Sequence, residues 1–200
     1  MKRLFDLFFT VPGLIVLSPF FIIIALWVKL DSQGPILYRQ ERVGINGNIF
    51  KIFKFRTMVI NADRIGRTIT VGDDPRITRT GHVLRKYKLD ELPQLINVVK
   101  GEMSLVGPRP EVKRYVDIYT SEQRAVLELM PGITDPASIK YRNENELLAA
   151  TRDIDGVEVD PEYIYVHKIM PDKIRINLEY AGRSNVVSDF WMIIRTIFGH

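Results

Sequence analysis

The sequence predicts an α+β fold that is mostly helical and is held at a membrane by one N-terminal helix. Three observations support this fold class. Near the N-terminus, Leu7 to Val28 is a run of 22 residues without a charge. An Asn-Gly pair between two runs of branched and aromatic residues is typical of a β-hairpin. Much of the remaining chain repeats its apolar residues at the spacing of a helix.

The composition narrows the class of protein. With 200 residues, 46% of them hydrophobic, the chain can bury one compact core, and we expect a catalytic domain at residues 31–200 after a membrane segment at residues 1–30. Cysteine is absent, which excludes disulfides and thiolate metal sites and is typical of a reducing compartment. The net charge of +4 favours an anionic partner, such as a nucleotide, nucleic acid or acidic lipid headgroups.

The uncharged run is long enough to span a membrane, since its 22 residues would form a helix of roughly 33 Å and the hydrocarbon layer is roughly 30 Å thick. Ser18-Pro19 lies near its middle, where a proline removes a backbone donor and bends a helix. Basic residues flank both ends of the run: Lys2 and Arg3 before it, and Lys29, Arg39 and Arg42 after it. The positive-inside rule therefore puts both ends on the cytoplasmic side. A re-entrant helix, broken at Ser18-Pro19 and entering and leaving on one face, satisfies both features; a kinked single-pass anchor is the alternative.

The domain after this segment begins with the predicted β-hairpin, residues 36–58, followed by a polar surface loop at residues 60–77. Helical spacing then appears in the segments Thr78–Tyr87, Pro93–Lys100, Ser121–Met130, Glu144–Arg152, Pro161–His167 and Val186–Phe198. The C-terminal segment, residues 186–198, is amphipathic. We favour a core helix there over a helix that lies on the bilayer.

Two adjacent carboxylates, Asp90 and Glu91, stand in the motif LDELPQL. Pro93 suits the first turn of a helix, because its missing N–H would be unpaired there in any case. The pair therefore lies at or just before a helix N-terminus, where capping and the helix dipole favour carboxylates. A purely structural cap is the simplest interpretation of such a pair taken alone.

The basic residues around the pair indicate more than a cap. Arg85 and Lys88 precede it, and Arg109 follows it in the motif VGPRP, where two prolines limit the backbone. These charges could compensate a diphosphate that approaches two carboxylates, and a divalent cation shared with phosphate oxygens would add to this. A carboxylate beside a diphosphate can attack phosphorus and form an acyl phosphate. Residues 78–110 are therefore the candidate active site.

Together these motifs resemble one family. The segments LSPFFIIIALWVKLDSQGPILYRQERVG, FKIFKFRTM, LDELPQLINVVKGEMSLVGPRP and MPGIT are similar to those of the bacterial sugar transferases, the small monotopic phosphoglycosyl transferases, from the first residues to about Thr134. The resemblance implies an enzyme of the bacterial inner membrane with its catalytic domain on the cytoplasmic face. Such enzymes transfer a sugar 1-phosphate from a UDP-sugar to a polyprenyl phosphate such as undecaprenyl phosphate. The products are a polyprenyl diphosphate-sugar and UMP, in the first membrane step of capsule, O-antigen or exopolysaccharide assembly.

The resemblance also implies roles for individual residues. Asp90 matches the nucleophile, which would hold the phosphosugar covalently in a ping-pong scheme, and Glu91 completes the acidic dyad. Both carboxylates are candidate ligands of Mg²⁺, the expected cofactor. Arg85 and Arg109 match the arginines of the motif, with Arg85 expected to act through its charge and Arg109 to contact phosphate.

Further substrate contacts are expected outside the acidic motif. Lys54 and Arg56 are the basic residues of FKIFKFRTM that match the family, and the resemblance leaves open which of them faces the phosphates. Arg142 and Asn143 match an Arg-Asn pair that follows PGIT in many relatives, but DPASIKY replaces the Gly-Trp-Ala-Gln that such relatives have in between. This departure concerns sugar recognition, so no sugar is assigned. Ser18-Pro19 matches the break of the family's re-entrant helix, which favours re-entry over a single pass.

A rival from another class is a membrane-tethered module that binds anionic lipid without catalysis, in which the acidic pair only caps a helix. No arginine-rich run, zinc-ligand spacing or aromatic platform supports nucleic-acid binding. The expected partners are therefore a UDP-sugar, polyprenyl phosphate and membrane lipids, with no nucleic acid. A homodimer is a further candidate that the sequence leaves open.

Overall fold

The computed structural model describes residues 1–62, 74–150 and 160–198 of the chain. Its helices are α1 (Lys2–Asp31), α2 (Arg79–Lys86), α3 (Gln94–Lys100), α4 (Lys113–Val116), α5 (Pro136–Lys140), α6 (Glu144–Ala150), α7 (Pro161–Ile164), α8 (Met170–Ala181) and α9 (Val186–Phe198). Its strands are β1 (Leu37–Val43), β2 (Ile49–Phe55), β3 (Ser104–Val106) and β4 (Gly132–Thr134). Short 3₁₀ turns occupy Ile45–Gly47, Leu89–Glu91 and Gln123–Glu128, and a π-helical turn occupies Tyr165–Ile169. The prediction of a mostly helical α+β fold with a long apolar N-terminal helix is confirmed.

Helix α1 is one uninterrupted helix of 30 residues, long and apolar enough to cross a membrane. Pro19 has no N–H for the carbonyl of Ile15, four residues before it. The hydroxyl of Ser18 donates to that carbonyl instead, at 2.8 Å. The helix therefore continues through Ser18-Pro19, because the serine replaces the donor that the proline lacks, and the bend predicted at this pair stays a prediction. The path of α1 relative to a membrane stays a prediction.

The N-terminal end of α1 is bonded to the rest of the chain by charged side chains. Arg3 donates to the carbonyl oxygens of Val98 and Val99 at the C-terminal end of α3. The buried carboxylate of Asp6 accepts hydrogen bonds from the hydroxyl of Ser104 at 3.0 Å and from the N–H of Leu105 at 3.1 Å. This end of the membrane helix is thus fixed to α3 and β3.

The C-terminal end of α1 packs against the same domain. Ile24 and Val28 form a buried cluster with Phe55 of β2 and Leu84 of α2. Asp31, the last residue of α1, accepts from the N–H of Thr80 at the start of α2, at 3.1 Å. Between these two ends, α1 exposes apolar side chains: Val11, Ile15, Val16 and Phe20. Both ends of the helix therefore contact one body, and its middle presents an apolar surface.

The β-hairpin forms as predicted. Strands β1 and β2 are antiparallel and pair from Leu37 opposite Phe55 to Val43 opposite Ile49. In the turn, Asn46 and Gly47 have φ values of 55° and 78°, the left-handed conformation that Asn-Gly adopts readily. Strand β2 carries Lys54 and leads directly to Thr57, so the hairpin brings the FKIFKFRTM motif to the site.

A second, two-stranded sheet joins the motifs VGPRP and MPGIT. Its strands β3 and β4 are parallel, and beyond them the N–H of Gly107 donates to the Thr134 carbonyl and the N–H of Gly132 to the Pro108 carbonyl, each at 3.0 Å. A Cβ on Gly132 would lie 2.1 Å from the backbone nitrogen of Gly107, so the two backbones approach this closely only because both residues are glycine. The loop that carries Arg109 therefore rests on the PGIT segment.

The helices of the C-terminal half differ from the sequence prediction at two places. Residues 121–130 form a 3₁₀ turn, Gln123–Glu128, and not an α-helix. The helix predicted at Pro161–His167 instead continues through the π-helical turn into α8 and ends at Ala181. The core of this half lies among α4, the π-helical turn and α8. Residues 151–152 of the predicted helix and residues 63–73 of the predicted loop lie outside the described residues.

Helix α9 has the predicted bounds, but the preference for a core helix is wrong. Only Asp189 and Met192 of α9 are buried among its described residues, whereas Val187, Trp191, Ile197 and Phe198 are exposed. The apolar periodicity was real, but periodicity alone does not say what covers the apolar face. The ring of Phe190 lies 6.0 Å from that of Phe9, so the exposed apolar surfaces of α9 and α1 adjoin.

Candidate active site

The turn that carries the acidic pair is set by a left-handed residue. Helix α2 ends at Lys86, and Lys88 has φ 56° and ψ 23°, a conformation that costs a non-glycine residue roughly 1–2 kcal/mol. It reverses the chain into the 3₁₀ turn that contains Asp90 and Glu91, and α3 begins directly after Pro93. The pair therefore lies just before a helix, as predicted, on a backbone whose strain is typical of functional sites.

Glu91 is held by two cations. Its Oε1 accepts from Lys54 Nζ at 2.9 Å, its Oε2 accepts from Arg109 Nη1 at 2.9 Å, and Arg109 Nη2 also donates to Oε1. Burial raises the pKa of Glu91, but the charges and hydrogen bonds of Arg109 and Lys54 outweigh it and hold that pKa well below its ordinary value. Glu91 is therefore an ionised carboxylate with both oxygens engaged.

Asp90 has the opposite environment. Its side chain is mostly buried, the residue being 7% exposed, and among the described residues no hydrogen bond reaches its carboxylate. Burial raises the pKa of Asp90, the charge of Glu91 raises it further, and Lys54, Arg85 and Arg109 oppose this shift. Two adjacent carboxylates whose environments move their pKa values apart are typical of a site in which they have different roles.

The two arginines and the lysine of the site lie on three different segments. Arg109 comes from the VGPRP loop, and Glu91 is the main cause that raises its pKa. Lys54 comes from β2, and burial lowers its pKa despite the charge of Glu91. Arg85 comes from α2; its Nε donates to the hydroxyl of Thr57 at 2.9 Å, and burial lowers its pKa while Asp90 opposes this. The structure therefore brings Asp90, Glu91, Lys54, Arg85 and Arg109 together.

Arg56 does not join this group. Its guanidinium donates to the carbonyls of Ser32 and Pro35, each at 2.6 Å, and to that of Val28 at 3.3 Å. These carbonyls lie at and just after the C-terminus of α1, where a helix leaves acceptors unpaired. Of the two basic residues of FKIFKFRTM, Lys54 thus faces the carboxylates, and Arg56 caps the membrane helix.

Arg142 and Asn143 lie elsewhere in the fold. They occupy the exposed turn between α5 and α6, and no hydrogen bond or ion pair in the described part of the chain joins either of them to the carboxylate pair. Their expected role in substrate binding stays a prediction. The replaced segment before them forms α5, which Asp135 caps by accepting from the N–H of Ser138 at 2.9 Å.

The fit of the site to Mg²⁺ differs between the two carboxylates. The described residues contain no group of three or more His, Asp or Glu side chains that could hold a metal ion. Mg²⁺ is often held by one or two carboxylates together with substrate phosphates, and the open carboxylate of Asp90 suits such a site. Glu91 would first have to release Lys54 or Arg109. The residues therefore fit a cation that is shared with a bound diphosphate.

Two further residues next to the site were not predicted from the sequence to lie there. Arg42, at the end of β1, donates to the carbonyl of Pro110, and Glu111 follows directly after Pro110. The signal for Glu111 was its position after the VGPRP motif. Arg42 gave no signal, because only the folded hairpin brings it to that loop.

The whole chain, residues 1–200, matches the family model described as bacterial sugar transferase. The chain belongs to this family. It is 39% identical to the exopolysaccharide production protein ExoY of Sinorhizobium fredii over 188 residues, which cover 86% of this chain and 80% of that protein. It is 40% identical over 134 residues to a putative undecaprenyl-phosphate N-acetylgalactosaminyl 1-phosphate transferase of Bacillus subtilis, covering 67% of this chain and 71% of that protein.

A third relative extends the comparison to a longer protein. The undecaprenyl-phosphate galactose phosphotransferase of Salmonella typhimurium is 39% identical over 160 residues, which cover 72% of this chain and 33% of that protein. The predictions of a sugar transferase family member and of a phosphoglycosyl transferase are therefore confirmed. Because the relatives transfer a sugar phosphate, a charged group, the opposite pKa shifts of Asp90 and Glu91 are the feature that needs a functional explanation.

The electrostatic coupling of the carboxylates makes a testable prediction. Replacing Glu91 by Gln removes the like charge beside Asp90 and leaves the charges of Lys54 and Arg109 without their partner. Both changes favour the ionised form, so we expect the pKa of Asp90 to fall. Carbon-13 NMR of aspartate side chains, followed across pH in detergent micelles, measures it.

The matched control for this experiment is Glu128→Gln, which removes an exposed carboxylate outside the site and should leave the titration of Asp90 unchanged. A pKa of Asp90 that stays constant or rises in the Glu91→Gln protein would contradict the described coupling.

Proposed function

We propose that the chain transfers a sugar 1-phosphate from a UDP-sugar to a polyprenyl phosphate, such as undecaprenyl phosphate, and releases UMP. The observation that carries this proposal is the unequal state of the two carboxylates. Glu91 is engaged by Lys54 and Arg109, whereas the carboxylate of Asp90 is open. The relatives include undecaprenyl-phosphate sugar phosphotransferases, which supports the acceptor. The relatives from exopolysaccharide production support the pathway class.

In the first step an oxygen of Asp90 attacks the β-phosphorus of the UDP-sugar. The bond between that phosphorus and the oxygen that bridges to the α-phosphorus breaks, and UMP leaves with the electron pair. The sugar phosphate is then bound to Asp90 as an acyl phosphate. Burial suits this step, because a carboxylate whose pKa is raised is a more basic nucleophile and one without hydrogen bonds has less to give up before it attacks.

In the second step a phosphate oxygen of polyprenyl phosphate attacks the same phosphorus. The acyl phosphate bond breaks, the carboxylate of Asp90 is restored, and the polyprenyl diphosphate-sugar leaves. A covalent intermediate lets two anionic substrates use one site in turn, which is the ping-pong scheme. The acceptor therefore need not occupy the site together with UMP.

Lys54, Arg85 and Arg109 supply the positive charge that both steps require. Three cations around two carboxylates leave the site positive enough to attract a diphosphate. The fork of Arg109 matches two phosphate oxygens. A bound Mg²⁺, held by Asp90 and donor oxygens, would supply further neutralisation of the diphosphate.

The chain must also reach a lipid-borne acceptor, and we propose that α1 enters and leaves the cytoplasmic face of the inner membrane. A straight 30-residue helix is roughly 45 Å long, so a spanning α1 would carry its ends to opposite sides of the bilayer. Contacts of Asp6 with β3 and of Val28 with α2 and β2 instead hold both ends to one domain. UDP-sugars are cytoplasmic, which favours that side for the domain.

Replacing Asp90 by Asn should lower UMP release from a UDP-sugar, assayed with undecaprenyl phosphate, by at least about 10³-fold, because the nucleophile is lost. The control Asp117→Asn removes an exposed carboxylate that pairs with Lys113 on the surface and should release UMP at the parental rate. A lipid-binding module would keep its affinity for anionic vesicles in both variants and show no turnover in the parent. UMP release by Asp90→Asn at the parental rate would contradict the proposal.

The topology of α1 can be measured directly because the natural chain has no cysteine. One cysteine inserted after Met1 and, in a second protein, one at the exposed Asn48 should both resist a membrane-impermeant maleimide in spheroplasts. Both should react in inside-out vesicles. Labelling of the N-terminal cysteine in spheroplasts, with Asn48→Cys protected, would show a single pass and contradict re-entry.

A further inference from the structure

The loop that presents Arg109 has few backbone donors of its own. Pro108 and Pro110 stand on both sides of Arg109 and have no N–H. Its N-terminal half is fixed from outside, because the N–H of Gly132 donates to the carbonyl of Pro108 and the N–H of Gly107 donates to the carbonyl of Thr134. What fixes the C-terminal half decides where the guanidinium of Arg109 can lie.

The C-terminal half of the loop is held by the end of β1. Arg42 Nη1 donates to the carbonyl of Pro110 at 3.3 Å, and the N–H of Val43 donates to the carbonyl of Glu111 at 2.8 Å. Arg42 also donates through Nη2 to Gln40 Oε1 at 2.7 Å. Two consecutive residues of β1 thus donate to the two backbone carbonyls at the C-terminal end of the loop.

The side chain of Glu111 adds a second attachment. Its Oε1 accepts from the hydroxyl of Tyr165, and its Oε2 accepts from the N–H of Val112 at 3.0 Å. Its Oε2 also lies 3.7 Å from Arg42 Nη1. The side chains of Arg42 and Glu111 are only 15% and 16% exposed, so water replaces these contacts poorly. Glu111 therefore links β1 to Tyr165 across the base of the loop.

Tyr165 reaches Glu111 from an unusual backbone. It begins the π-helical turn Tyr165–Ile169 between α7 and α8. Ile164 and Ile169, five residues apart, are both buried in the main core, and so are Tyr165 and Met170. Residues five apart do not share a face of an α-helix, whereas those three or four apart do. The extra residue of the π turn thus lets α8 keep its core face while Tyr165 also faces the core, and π turns are frequent at functional sites.

The charges of Arg42 and Glu111 act on Arg109 and on Tyr165. Burial lowers the pKa of Arg42, the charge of Glu111 opposes this, and the charge of Arg109 lowers it further. Arg42 and Arg109 therefore repel one another, and Glu111 compensates Arg42 so that Arg109 can keep Glu91 as its own partner. Burial and the charge of Glu111 raise the pKa of Tyr165 well above its ordinary value, so its hydroxyl stays a donor.

We propose that Tyr165, Glu111 and Arg42 are positioning residues, which fix the Pro110–Glu111 backbone and thereby direct the guanidinium of Arg109 to the place where the donor diphosphate binds. This inference rests on the proposed function, because it takes Arg109 as a phosphate contact. None of the three residues needs to touch the substrate. Their effect on binding should pass entirely through the side chain at position 109.

The test is a double-mutant cycle with UDP as the probe, measured by calorimetry on protein in nanodiscs. Tyr165→Phe removes one hydroxyl and keeps the ring in the core. We expect it to weaken UDP binding about fivefold in the parent background, and to have no further effect in an Arg109→Ala background, where no guanidinium remains to be directed. Arg42→Lys, which keeps the charge but loses the fork, should follow the same pattern.

The matched control is Tyr115→Phe. Tyr115 is buried in the same core, its ring lies 5.1 Å from that of Tyr165, and its hydroxyl contacts Glu162 and not the loop. It should leave the affinity for UDP unchanged within twofold. If Tyr165→Phe lowers the melting temperature more than Tyr115→Phe does, the test rests on the double-mutant cycle of Arg42→Lys with Arg109→Ala alone.

The outcomes separate this inference from the proposed function. Equal weakening of UDP binding by Tyr165→Phe with and without the arginine would show a general structural role and overturn the inference, as would an unchanged affinity in the parent background. A parent protein that does not bind UDP at all would overturn the UDP-sugar donor and, with it, the inference. If the parent binds UDP and the Arg109→Ala protein binds it with the same affinity, Arg109 is not a phosphate contact and the inference is overturned. The proposed transferase reaction would still stand.

Discussion

The site depends on the ion pairs that Glu91 makes with Lys54 and Arg109. These three residues come from the turn before α3, from β2 and from the VGPRP loop, so their charges join three segments of the chain at the site. The pairs are mostly buried, and removing one partner of a buried pair leaves an uncompensated charge, which typically costs several kcal/mol. Glu91 thus holds the cations close to Asp90 before any substrate is present.

This arrangement explains why the motif has two carboxylates and not one. A single buried carboxylate among Lys54, Arg85 and Arg109 would be paired with them and would be a weak nucleophile. With Glu91 as the partner of Lys54 and Arg109, these cations stay near the reaction centre while Asp90 keeps its oxygens free. An incoming diphosphate can then replace Glu91 as the partner of Arg109, so the positive charge that compensates the donor is already in place.

Sequence reasoning was most successful where the information is local. The Asn46-Gly47 turn specified the hairpin, Pro93 specified the start of α3, and the motif itself named Asp90, Glu91 and Arg109. It did less well where a tertiary contact decides the outcome. Lys54 and Arg56 are two residues apart and chemically alike, and only the docking of α1 shows that Arg56 caps that helix.

Two further differences have the same cause. The parallel pairing of β3 with β4 joins short segments that are far apart in sequence. The only feature of the sequence that indicated this pairing was one glycine in each motif, Gly107 and Gly132. The helix predicted at Pro161–His167 continues through the π-helical turn into α8, with Pro171 in the first turn of α8, where a proline is tolerated. Local helix propensity does not predict the extra residue of a π-helical turn, because that residue is needed only to keep the side chains before and after the turn in one core.

The most direct test is mass spectrometry of the protein, quenched after mixing with a UDP-sugar in the absence of acceptor. The account predicts a sugar-phosphate adduct on the peptide that contains Asp90, lost when polyprenyl phosphate is added; UMP release at the normal rate with no adduct, or with an adduct on a peptide that lacks Asp90, would contradict it.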